Sequence, residues 1–277
     1  MGNLCIIPVT APHQWTTRPI KFRTGRGSML EWIRERWQHA QAREKEKKKP
    51  RPKDTEREVL LFHGLWRELQ DNRLDSVVSA AGRLLEKGSP SEVLEACKIL
   101  GHAHLNRRHS AEAICYFRFI AEQESTPDAW FNLATAATQA QDFASSRQAY
   151  EQALYLCCEQ HQLCHYSEPY MRMNFCSALY AQEELELAMQ QLDFLLASYL
   201  HQASPAEEAA ILSIQPSLPQ LLTVASRILA HYEPERTEQW YADLAQGLDP
   251  RDRQLLARFH IHIQEPVVDP QADSSCI

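Results

Sequence analysis

The sequence predicts an all-α protein built as a stack of antiparallel helical hairpins, and three observations lead there. Only 8 of the 277 residues are Gly, while Ala, Leu, Glu and Gln are abundant, the composition of a helical chain. Apolar residues recur at helical spacing in paired segments, most clearly from Pro127 to Leu154. There Trp130, Leu133, Ala134 and Ala137 share one helical face, and after a three-residue turn Ser146, Tyr150 and Ala153 share another. Stretches of similar layout flank this one, as they must, because a lone hairpin cannot bury its own apolar face.

Charge divides the chain. Residues 1 to 57 carry 14 Lys/Arg against 6 Asp/Glu, a net of +8, which leaves 15 against 30, a net of -15, for residues 58 to 277. An acidic body with a basic arm follows, and the arm, centred on residues 43–57, is a candidate contact for an anionic surface or for the body itself. Nucleic acid is a poor fit, because no aromatic residue interrupts the basic run. Of the 8 cysteines, Cys97, Cys115 and Cys176 fall on apolar helical faces, where a thiol acts as a small hydrophobe, so a reducing, cytoplasmic setting is expected. No apolar run reaches the length of a membrane span.

In chain order, residues 1–28 contain no acid and are broken by Pro8, Pro12 and Pro19; they read as a disordered extension rather than a helical transit peptide. The opening residues present Gly2 and Cys5, but Ile6 stands where an acylation signal wants Ser or Thr. Ser28 with Glu31 forms a capping box for an amphipathic helix carrying Leu30, Ile33 and Trp37, expected to pack on the first hairpin or on a second subunit. Residues 29–57 are thus an amphipathic helix and a basic linker stopped by Pro50 and Pro52. Four hairpins follow over residues 58–200. The first has Leu61, Gly64 and Leu65, a turn at Asn72-Arg73, and Leu74, Val77, Ala81 and Leu84. The second opens at Ser91 and carries Cys97, Leu100, Gly101 and His104, then Ser110, Ala113, Phe117 and Ile120. The third is the stretch from Pro127, and the fourth holds Phe175, Cys176 and Leu179, then Leu185, Ala188, Leu192 and Leu195. Residues 201–263 add Leu221, Val224, Ala225 and Ile228, then Trp240, Tyr241 and Leu244, and a closing helix with Leu255, Leu256 and Phe259. The tail, 264–277, reads as disordered.

These units resemble the tetratricopeptide repeat, a 34-residue hairpin with small residues at the helix crossing and an aromatic shortly after. Units beginning at 58, 94, 127 and 169 are spaced by 36, 33 and 42 residues, and Ser146 stands where the family favours Ala. The resemblance covers about half the chain. It implies a right-handed superhelical stack whose first helices line a concave groove, with residues 201–263 as a degenerate repeat and capping helices. It also implies a non-catalytic adaptor or scaffold that grips a peptide or helix of another protein. On that surface it places Lys98, His102, Phe131 and Asn132, followed by Thr135, Tyr170, Asn174 and Ser177. Asn132 and Asn174 hold the same place in consecutive units, where an amide both donates to and accepts from a peptide backbone. The clamp of Lys, Arg and Asn that related co-chaperones use on acidic C-termini is interrupted here by Phe62 and Trp66. The stretch from Glu168 to Leu192 is also similar in layout to chaperones of type III secretion translocators, which would make the partner a secreted protein.

No catalytic set is present: there is no Gly-rich phosphate loop, no H-E-x-x-H and no G-x-S-x-G, so no enzyme activity and no cofactor are expected. One cluster, CCEQHQLCH, invites a metal. On a continuing helix Cys157, His161 and Cys164, or Cys158, His161 and His165, would share a face within reach of one zinc ion. Four ligands from a single helix are geometrically awkward, and thiols in an extended helix are the expectation.

Overall fold

A computed structural model describes residues 28–46, 52–162, 164–201 and 214–264. Among them the chain is all-helical: α1 (Met29–Glu46), α2 (Pro52–Gln70), α3 (Leu74–Lys87), α4 (Pro90–Asn106), α5 (Ser110–Glu124), α6 (Pro127–Gln139), α7 (Phe143–Leu154), α8 (Glu168–Ala181), α9 (Leu185–His201), α10 (Leu218–Leu229), α11 (Pro234–Gly247) and α12 (Pro250–Gln264). Consecutive helices from α2 to α9 pack as neighbours. The expected extensions at the two ends, the run 47–51 and the polar break at 202–213 lie outside the described residues.

Local chemistry explains the helix starts. Ser89 accepts from the Glu92 amide while the Glu92 carboxylate accepts from the Ser89 amide, with Pro90 opening α4. Thr126 and Ser167 cap α6 and α8 through the amides of Ala129 and Tyr170, each with a proline in the first turn. Proline suits that place because its missing N–H is one the helix leaves unpaired anyway. The same rule corrects two expected boundaries: α2 already begins at Pro52, inside the expected linker, and the second hairpin opens at Pro90 behind Ser89 rather than at Ser91.

The four hairpin turns share one backbone solution. Asn72, Arg108, Gln141 and Glu183 each adopt a left-handed φ, of 60° in every case. Around Gln141, its own amide donates to the Thr138 carbonyl and the Asp142 amide to the Ala137 carbonyl, the paired bonds of a Schellman motif. The same pair of bonds occurs after Asn72, Arg108 and Glu183. From Asn72 to Arg108, Arg108 to Gln141 and Gln141 to Glu183 the separations are 36, 33 and 42 residues.

Between the helices, small residues set the approach. Gly101 of α4 faces Phe117 of α5 so closely that a Cβ there would lie 2.6 Å from Cε1 of the ring. Gly64, by contrast, meets open space, so α2 has no such crossing point. Ser146 is 0 % exposed, and its hydroxyl lies 2.7 Å from that of Thr138, which itself donates to the Ala134 carbonyl. A serine in the alanine place is therefore satisfied rather than orphaned.

Helix α1 buries Ile33 and Ala40 and sets Trp37 edge-on to Phe119, 5.8 Å between centroids. It lies on α3, α4 and α5, so it covers the second hairpin more than the first. Arg34 holds Glu122 at 2.7 Å, and Arg43 donates to the Gly88 carbonyl, which ties one arm residue to the body. At the other end α10 packs on α8, α9 and α12, while α11 packs on α9.

Left-handed φ costs an L-residue about 1 kcal/mol that glycine does not incur. Gln141→Gly should therefore raise stability by about 0.5–1 kcal/mol, read as a higher melting temperature, and Gln141→Val should lower it.

Candidate functional site

Helices α4, α6 and α8 carry the residues singled out for binding, and the structure divides them into three groups. On α4, Lys98 is half-buried and held by its own protein: its ammonium lies 2.8 Å from Glu124 and 3.6 Å from Glu95. Burial would lower the Lys98 ammonium, but the two carboxylates more than offset that and raise it. Glu95 also accepts from the Trp66 indole at 2.7 Å. His102 stands between Trp66 and Phe117, at 5.4 and 5.0 Å between ring centroids, and burial pushes it down to about 4, so it is neutral at pH 7.

Phe131 and Tyr170 are corrected: they are core residues, 4 % and 9 % exposed. The reason is a piece of chain the hairpin pattern does not show. After Leu154 the helix widens into a single π-helical turn, Tyr155–Glu159, and the chain leaves it at His161 with φ 51°. It then runs back across the N-terminus of α6, where the Asp128 carboxylate accepts from the amides of His165, at 2.8 Å, and Tyr166, at 3.1 Å. Tyr166 thereby lies over Phe131, 4.6 Å between centroids, and stacks on Tyr170 at 5.6 Å. Tyr150 and Phe175 stack beneath at 5.0 Å. Residue 214 returns to the same place, with Ile214 donating to the His165 carbonyl at 2.7 Å and accepting from the Ser167 amide at 3.0 Å. Trp130, expected to pack, is half-buried, and its indole nitrogen is buried without a partner among the described residues.

The remaining polar positions are half-buried or exposed, and they differ in what they have left to offer. Thr135 and Ser177 donate back to the carbonyls of Phe131 and Met173. Asn174 donates to the Tyr170 carbonyl at 2.8 Å, so the two asparagines are not equivalent. The Asn132 amide is half-buried and has no hydrogen-bond partner among the described residues.

The cysteine cluster is not the helical face that its spacing invites, because the helix ends before His161. Among the described residues no group of three or more His, Cys, Asp or Glu is arranged to hold a metal ion. Cys158 turns toward Arg172, 4.0 Å away, while His165 sits edge-on to Tyr166. Cys157 and Cys164 nonetheless meet, Sγ to Sγ 3.3 Å. Hydrogen bonding to Cys158 and Cys164 pushes the Cys157 thiol up, and the bond from Cys157 pushes Cys164 down. On the far side of α8, Arg172 binds Glu168 and Gln191, both at 2.7 Å, and covers the Phe194 ring at 4.5 Å. It lines a shallow cleft of about 300 Å³ with Tyr155, Cys158 and Phe175.

Sequence reasoning missed Asp128, Tyr166 and Arg172. Asp128 carried one signal, an acid in a first helical turn, which reads as a charge beside the helix dipole rather than as an anchor for a distant segment. No family model matches the chain, and no curated protein matches it.

A buried imidazole, His104, and a half-buried one, His102, give the fold a pH dependence of definite sign. His104 is 3 % exposed, stacks on Tyr116 and finds no hydrogen-bond partner for either nitrogen among the described residues. Burial pushes it, like His102, from 6.5 down to about 4, with Glu112 opposing the fall. The unfolded chain therefore takes up protons near pH 6.5 that the folded chain refuses until about pH 4. Stability is complete above the upper value and falls across that window as pH drops. The melting temperature should be lower at pH 5 than at pH 7, and His104→Leu should shrink the difference; an undiminished drop in the variant would contradict this assignment.

Proposed function

We propose that this chain is a tetratricopeptide-type adaptor, non-catalytic and cytoplasmic, that grips an extended peptide or a helix of another protein along the surface carried by α4, α6 and α8. The recurrence of one turn geometry at Asn72, Arg108, Gln141 and Glu183 supports the repeat reading, since it gives each hairpin the same reversal and leaves its first helix in an equivalent place. The burial of Cys97 and Cys176 as small apolar groups accords with a reducing compartment.

The observation that carries the binding assignment is the Asn132 amide. It has both a donor and an acceptor unclaimed by its own helix, whereas Lys98, Thr135, Asn174 and Ser177 already have intramolecular partners. An amide in that state is suited to the paired N–H and C=O of a peptide backbone. Lys98 and its carboxylates then border the contact as a polar rim, a place where charge influences association rate more than affinity.

Partner capture tests this directly. The full chain, immobilised and exposed to lysate of its own source cells, should retain a partner that Asn132→Ala binds about tenfold more weakly, the loss of one well-made hydrogen bond at about 1.4 kcal/mol. Asn174→Ala should bind as the parent does, and neither variant should melt lower by more than a degree or two. Equal capture by Asn132→Ala would remove the groove from consideration.

A further inference from the structure

The segment between α7 and α8 brings two thiols together by a route that the adaptor reading does not use. Cys157 lies in the π-helical turn and Cys164 in the chain that runs back over α6. They are 3.3 Å apart at sulfur, and both are half-buried, so that a small solute reaches them. The two ends of the segment are fixed from outside it. On one side the turn continues α7; on the other the amides of His165 and Tyr166 are bound to Asp128, and Ile214 pairs across His165 and Ser167. The contact is therefore imposed by the fold.

We propose that Cys157 and Cys164 form an oxidisable dithiol, a modification site that a hydroperoxide converts into an intramolecular disulfide. In the first step the Cys164 sulfur attacks the terminal peroxide oxygen. The O–O bond breaks, the released alkoxide takes the thiol proton and leaves as an alcohol, or as water when the oxidant is hydrogen peroxide, and Cys164 becomes a sulfenic acid. In the second the Cys157 sulfur attacks the sulfenic sulfur, the S–S bond forms, the S–O bond breaks and hydroxide leaves with the Cys157 proton as water. Two thiols lose two electrons and two protons, and the peroxide receives both.

The pairing is selective. A disulfide needs its sulfurs at about 2.0 Å, a small closure from the present contact of 3.3 Å. Cys158 hydrogen-bonds to Cys157 and lies 4.0 Å from the Arg172 guanidinium, but joining it to its sequence neighbour Cys157 would close a strained ring through a single peptide bond. Cys97 and Cys176 have no exposed surface, and burial pushes both thiols up, so they do not compete.

The test uses the reduced full chain, treated with one to a few equivalents of hydrogen peroxide, alkylated, digested and mapped by mass spectrometry. The expected product is a species lighter by two hydrogens whose bridge joins the peptides bearing Cys157 and Cys164, and which a dithiol reductant restores. Cys158→Ser should form the same bridge at the same rate, while Cys157→Ser should stop at the Cys164 sulfenic acid, trapped by a dimedone-type reagent. The parent chain carries the decision, so a variant that fails to fold does not obscure it. A bridge to Cys158, to Cys115 or to either terminal cysteine, or retention of both thiols while the others react, would overturn the assignment.

Discussion

The segment between α7 and α8 is anchored to the body by one carboxylate. Asp128, in the first turn of α6, accepts the amides of His165 and Tyr166, groups 37 and 38 residues along the chain. Bonds from backbone amides to an ionised acceptor are worth roughly twice neutral ones, about 1.5–3 kcal/mol each before the ordering of the loop is subtracted. They act together with the packing of Tyr166 on Phe131 and Tyr170 and the bonds of Ile214 in fixing the segment. Three consequences follow from where it is fixed. Tyr166 closes the aromatic cluster over Phe131 and Tyr170; Ser167 is placed to cap α8; and Cys164 is carried back to Cys157.

Beneath this, the fold rests on repetition of a local solution. Each of the hairpins from α2 to α9 reverses through the same pair of backbone bonds around a left-handed residue, and none of the four residues there is glycine. The strain at each is small beside the apolar surface that the paired helices remove from water, so packing decides the turn and propensity yields. Where two helices must approach most closely, the sequence supplies Gly101 against Phe117, or a serine whose hydroxyl is taken by Thr138. Terminal helices cover what the hairpins leave open, α1 on α3 to α5 and α10 on α8 and α9.

The helices themselves were legible in the sequence because apolar periodicity and polar turns agreed from α3 to α9, with Ser/Thr caps followed by proline at the starts of α4, α6 and α8. The capping box at Ser28 and the burial of Cys97, Phe117, Tyr150 and Leu192 followed from spacing alone, whereas the capping box at Ser89 did not. What spacing could not supply is where the chain goes when it stops being helical. The third interval exceeds a regular repeat by about eight residues, and the chain between those hairpins holds the segment that covers Phe131. Helical periodicity placed Phe131 opposite Leu133 and hence toward solvent, which holds for an isolated hairpin and fails once Tyr166 lies across it. The extended helix expected through Cys157, His161 and Cys164 fails for the same reason, since the chain leaves the helix where His161 turns left-handed. The equivalence of Asn132 and Asn174 was a property of sequence position, and the bond from Asn174 to the Tyr170 carbonyl breaks it.

The role given to Asp128 is most directly measured by amide hydrogen exchange at His165 and Tyr166 in the parent chain and in Asp128→Ala. The account predicts slow exchange at both amides in the parent, and loss of that protection in the variant while amides within α4 and α5 keep theirs. Fast exchange at His165 and Tyr166 in the parent, or undiminished protection in Asp128→Ala, would contradict it.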